Sequence, residues 1–106
     1  MPAHTILSVT TLCPDRNNAK EIAEALLTHR LAACTNIHAP VHSQFTWLGR
    51  QETAEEIPLI IKTRPDLCDR VVAAIRKRHP YDVPAIFWHE EQTPNDYTHW
   101  VREETR

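Results

Sequence analysis

A chain of 106 residues with a single glycine has only one position where a tight turn with positive φ comes without a Cβ clash. That residue, Gly49, follows Trp47-Leu48 and separates two strand-like runs. The first runs through Leu31-Ala32-Ala33-Cys34-Thr35-Asn36-Ile37 to Phe45-Thr46-Trp47, and the second returns from Gln51 to Lys62 through Ile57-Pro58-Leu59-Ile60-Ile61. The pattern predicts one long β-hairpin closed at Gly49. Pro40 and Pro58 cannot donate ladder hydrogen bonds, so the outgoing strand is expected to bend or bulge near Pro40. The returning strand is expected to meet a sheet edge or a bulge at Pro58.

The rest of the chain frames this hairpin. Thr5 to Leu12 reads as a first strand that stops at Cys13-Pro14. Asp15 offers an N-cap for a helix reaching about Arg30, with Ala19, Ile22, Ala23 and Leu26 at helical spacing. Pro65-Asp66 opens a second helix with Cys68, Val71, Val72 and Ile75 as its inner stripe, and His79 should stand just outside it because Pro80 follows. Val83 to about Glu90 is a further strand, and Pro94 to about Glu103 a terminal helix. The order is βαββαβ plus a C-terminal helix over residues 1–106, a single ferredoxin-like α+β sandwich with an antiparallel sheet and helices on one face. Ile57, Leu59, Ile60 and Ile61, like Ala85, Ile86, Phe87 and Trp88, are apolar at both parities, which implies self-association through the second face of the sheet.

Charge and composition narrow the function classes. Twelve basic and fourteen acidic side chains give a net charge of −2, which leaves no broad basic field for nucleic acid. No basic start followed by an apolar run, and no stretch of membrane-spanning length, is present in the sequence, so the expectation is a soluble cytoplasmic protein without a membrane partner. Cys13, Cys34 and Cys68 are odd in number and widely spaced, consistent with a reducing compartment.

The candidate chemistry is sparse. Cys13 lies at a strand end before a helix N-terminus, where the helix dipole can lower a thiol pKa and favour metal binding or nucleophilic attack; its structural alternative is a small residue at a turn. His79 is constrained by Pro80 and precedes Tyr81, with ligand and structural roles both open. Lys62 ends an apolar strand and can bind a carboxylate or phosphate, or snorkel at the sheet edge. Trp47 and Tyr81 are candidate pocket rings, with core or interface packing as their alternative. His38 and His42 are some 13 Å apart on an extended strand, too far to share a metal unless Pro40 folds the segment. Arg76-Lys77-Arg78 complements a helix C-terminus, with an anion site as the alternative. No Ser-His-Asp order, phosphate-cradling glycine loop or paired-carboxylate motif stands out.

The Leu31-Ala32-Ala33-Cys34-Thr35-Asn36-Ile37 run, the Trp47-Leu48-Gly49 turn, Ile61-Lys62-Thr63 and His79-Pro80-Tyr81-Asp82-Val83-Pro84 occur in an order that resembles the CutA family of divalent-cation-tolerance proteins. The resemblance implies a compact homotrimer with hairpins pairing between subunits, and a non-enzymatic role in metal tolerance. Copper is its first ion, with zinc also compatible with cysteine and histidine ligands. It implies a cleft between subunits lined by the His79 segment, and the residues themselves make Cys13, a thiol at a helix N-terminus, and His79, a constrained loop imidazole, the candidate metal ligands. Some family members carry a cysteine inside the first strand, a second histidine before His-Pro-Tyr and a glutamate after the second proline; Thr11, Arg78 and Ala85 stand here instead. The alternative is a PII-like small-molecule sensor with Lys62, His79 and Tyr81 contacting a ligand, Trp47 being a further candidate for its binding residues, and a third reading is an enzyme using Cys13 as nucleophile.

Overall fold

The computed structural model describes residues 4–106. Strand β1 (Thr5–Cys13) leads to helix α1 (Arg16–Thr28), which Asp15 caps by accepting a hydrogen bond from the Asn18 amide at 2.8 Å. The outgoing arm of the hairpin is two strands, β2 (Cys34–Ile37) and β3 (Val41–Trp47), and the return is the 14-residue β4 (Arg50–Thr63). A 3₁₀ turn at Pro65–Leu67 opens α2 (Cys68–Arg78); β5 (Ile86–Gln92) and α3 (Asn95–Glu104) complete the chain. The strand order β2-β4-β1-β5 is antiparallel throughout, with β3 pairing the outer half of β4.

The prolines act where the sequence placed them. The outgoing strand breaks at His38-Ala39-Pro40, and β4 changes partner there from β2 to β3. Pro58 lies inside the sheet, in register with Leu12, and not at an edge. Its carbonyl accepts from the His38 amide at 2.9 Å, so its missing N–H points to the same side, at the break. The gap in one strand accommodates the absent donor in the other. Strand β5 begins at Ile86 and not at Val83: Pro84 interrupts the run, and the Ala85 carbonyl accepts from the Thr11 hydroxyl at 2.8 Å.

At the hairpin tip both turn residues have positive φ, Leu48 at 51° and Gly49 at 79°, and Trp47 pairs with Arg50. This is a two-residue turn with a twist that suits the flanking strands, a geometry that favours Asn-Gly. Leu48 is 85% exposed, so its left-handed backbone has no packing to offset it. Leu48→Asn is expected to stabilise the fold by about 0.5 to 1 kcal/mol and Gly49→Val to destabilise it by about 1 kcal/mol or more. Paired thermal melts check both signs.

Register separates the two faces of the sheet. Leu7, Val9, Thr11 and Cys13 of β1 stand beside Thr63, Ile61, Leu59 and Ile57 of β4. Their apolar members join Ile22 and Leu26 of α1 and Val71 and Ile75 of α2 in one buried core. The opposite face carries Ser8, Thr10 and Leu12 beside Lys62, Ile60 and Pro58, with Phe87 and His89 on β5. It is apolar toward the arm and polar toward Lys62, so the apolar second face is narrower than the sequence pattern implies. Helix α3 is not part of the two-helix layer. Its Tyr97 sits beside Cys34 and Glu91, both of which belong to the opposite face.

Candidate functional site

The root of the arm, the end of β1 and the segment from His79 to Ala85 converge. Helix α2 ends because His79 precedes proline and takes extended dihedrals, φ −82° and ψ 134°. This turns the His79 ring inward, where it is 7% exposed. Nε2 donates to the Leu12 carbonyl at 2.7 Å and Nδ1 accepts from the Tyr81 amide at 3.3 Å. That pair of bonds requires the neutral Nε2–H tautomer and employs both ring nitrogens. The Tyr81 ring packs on the imidazole with centroids 4.8 Å apart. His79 thereby fixes the whole segment to the end of β1.

A groove of about 770 Å³ opens beside this junction, lined by Leu12, Ser43, Gln44, Phe45, Trp47 and Glu56 and by the stretch Tyr81 to Ala85. Trp47 and Tyr81, two of the sequence candidates, therefore share one groove. Lys62 does not. It lies six residues beyond Glu56 on β4, roughly 20 Å along the strand, where its ammonium donates to Asn36 Oδ1 at 2.7 Å. The ligand set expected of a small-molecule sensor is thus divided between two places. A second cavity, about 330 Å³ and lined by Thr5, Arg64, Pro65, Asp66, Glu90 and Arg102, holds none of the sequence candidates.

Cys13 is adjacent to Leu12 and 0% exposed. Burial, followed by the charges of Asp15 and Glu56, pushes its thiol up to about 11. The expected lowering by the helix N-terminus is corrected here: desolvation of the thiolate and two nearby carboxylates outweigh the dipole. At neutral pH the side chain holds its proton, so the dipole favours neither metal binding nor nucleophilic attack here. Among the described residues, no three His, Cys, Asp or Glu side chains cluster as a metal site. His42 instead meets Glu55 at 2.6 Å on the exposed arm, and His89 lies 3.6 Å from Glu91.

The residue that sequence reasoning missed is Glu56. It follows six residues of an exposed or half-exposed strand, 50–55, and nothing local distinguishes it from Glu55. It is nevertheless only 6% exposed, facing the Tyr81 hydroxyl. Burial, followed by the charge and hydrogen bond of Glu56, raises that hydroxyl above the usual phenol range.

This architecture has close counterparts. A family model described as CutA1 divalent ion tolerance protein matches residues 7–104. The chain belongs to this family. It is 39% identical over 103 residues to the divalent-cation tolerance protein CutA of Pyrococcus horikoshii, covering 95% of this chain and 99% of that protein. It is 37% identical over 94 residues to mouse protein CutA, covering 88% of this chain but only 53% of the mouse protein, so it spans about half the length of that relative. The solved structure of a CutA from Archaeoglobus fulgidus, described as a periplasmic divalent cation tolerance protein, superposes with a TM-score of 0.91 at 31% identity, covering 95% of this chain and 99% of that one. The fold is the ferredoxin-like one of CutA1. Among the described residues, no helix is long and apolar enough to cross a membrane.

Proposed function

We propose that this CutA-family chain is a non-catalytic homotrimer that serves divalent-ion tolerance, binding copper or zinc weakly at the corner where Cys13 and His79 meet the end of β1. The match to a tolerance protein across nearly the full length of both chains carries the reading. Trimer formation is supported by the projecting arm, which extends a molecule 45 Å long and exposes Phe45, Trp47 and Leu48. The free edge at β5 supports it further, with Phe87 and Trp88 half-exposed where a partner strand or ring closure protects them. Three free cysteines support a reducing compartment such as the cytoplasm.

Metal binding at this corner has a chemical requirement. The ion displaces the Cys13 proton, and His79 gives up its bond to Leu12 or to Tyr81. Because the thiol is protonated until about pH 11, its share of the apparent affinity rises about tenfold per pH unit across the neutral range. Calorimetric titration with copper and zinc at several pH values, on the parent and on Cys13→Ala and His79→Ala, is expected to show that slope in the parent and weaker binding in both variants. Affinity independent of pH and unchanged in both variants refutes these ligands. Light scattering is expected to give about three chains per particle, and a stable monomer refutes the assembly.

A further inference from the structure

Glu56 takes no part in that corner, and its surroundings ask for a different ligand. Glu56 is only 6% exposed as a residue, and it lines the groove beside the arm. Ion pairs among the described residues join Arg30 to Glu104, His42 to Glu55, Arg64 to Asp66 and His89 to Glu91; Glu56 belongs to none. The groove adds a second carboxylate, Asp82, and three aromatic rings, Phe45, Trp47 and Tyr81, while no lysine, arginine or histidine lines it. A carboxylate in such a recess is complemented by an opposite charge placed beside it. The Tyr81 hydroxyl beside it is neutral, and no side chain of opposite charge lines the groove.

We infer that this groove binds an organic ammonium ion, a protonated primary amine with an apolar aromatic or aliphatic body. The ammonium donates to Glu56 and lies against the ring faces, which attract cations. The body fills the apolar remainder, whose volume falls within the roughly 300 to 1,000 Å³ of small-molecule sites. A bare metal ion suits the groove poorly. It requires several converging oxygen, nitrogen or sulfur ligands, and no such group of three forms among the described residues. The inference does not rest on metal binding by Cys13 and His79.

Three probes of one shape test the charge requirement on the intact assembled protein: phenethylammonium, neutral 2-phenylethanol and anionic 3-phenylpropionate. Tryptophan fluorescence and calorimetry are expected to show saturable binding of phenethylammonium, at least about tenfold tighter than the other two. Glu56→Gln should abolish that preference, and Trp47→Phe should remove the fluorescence change while calorimetric binding of phenethylammonium persists. Equal affinity for the three probes, an unaltered preference in Glu56→Gln, or no saturable binding below about 10 mM overturns the proposal. So does a crystal structure of the assembly in which a lysine or arginine of a second copy occupies Glu56. Copper and zinc titrations of Cys13→Ala read the metal corner separately, so failure of one proposal is distinguishable from failure of the other.

Discussion

Leu59→Ala is expected to destabilise the folded protein by about 3 kcal/mol, within the 2 to 5 kcal/mol typical of buried leucine truncations. Leu59 is 0% exposed in β4, flanked by Thr11 on β1 and Ile37 on β2, in the core shared with α1 and α2. Neighbours on both strands hold their positions through ladder bonds, so the space vacated by the isobutyl group cannot close by a simple shift. The loss combines reduced transfer free energy with a residual cavity. Guanidinium denaturation at one fixed protein concentration measures it, since an oligomer's stability depends on concentration. Leu48→Ala at the exposed tip is the control and should shift the midpoint little. A Leu59→Ala change below about 1 kcal/mol contradicts the assigned core.

Raising the pH from 9 to 11 is expected to cost the parent protein about 2 to 3 kcal/mol through Cys13 alone. The folded thiol titrates near 11, against an ordinary value of 9.0. Between these values the unfolded chain releases the proton while the native state retains it. The contribution is therefore intact below pH 9 and declines by roughly 1.4 kcal/mol per unit until the native thiol ionises. Tyr81 and Tyr97, also raised by burial first of all, add alkaline losses in the same direction. The variant Cys13→Ala isolates the cysteine: its stability should fall less than the parent's between pH 8 and pH 10.5 by the Cys13 share. Parallel declines in parent and variant refute the buried, protonated thiol. The same burial should leave Cys13 unreactive toward a thiol reagent in the folded protein at neutral pH.

Much of the fold was legible because its signals are local. Asp15, Pro65, Pro80 and Gly49 each restrict their own backbone or that of a neighbour, and the helices and the hairpin tip follow from them. The 3.6-residue spacing of Ala19, Ile22, Ala23 and Leu26 marked the buried side of α1 without any tertiary information. Boundaries were less secure where two local rules competed. Val83 and Ala85 are strand-like in type, but Pro84 between them delays β5 to Ile86. Leu48 gave no hint of positive φ, because the twist of β3 against β4 imposes it.

The site was legible in part. Trp47 and Tyr81 were visible as candidate pocket rings with core or interface packing as the alternative, and the structure brings them to one groove. Lys62 was equally visible, yet its even parity and its distance along β4 assign it to Asn36 on the open face. Sequence by itself determined the order of elements, the amphipathic faces of α1 and α2, the hairpin with its single glycine, and the resemblance to the CutA family. Only the tertiary structure decided the state of Cys13 and the burial of Glu56. Both depend on residues 79–85 folding back over the end of β1 and the root of the arm, more than twenty residues away in sequence from Glu56 and more than sixty from Cys13. Desolvation and Coulomb interactions act through space, so a helix dipole or a run of polar neighbours along the chain cannot reveal which of them prevails.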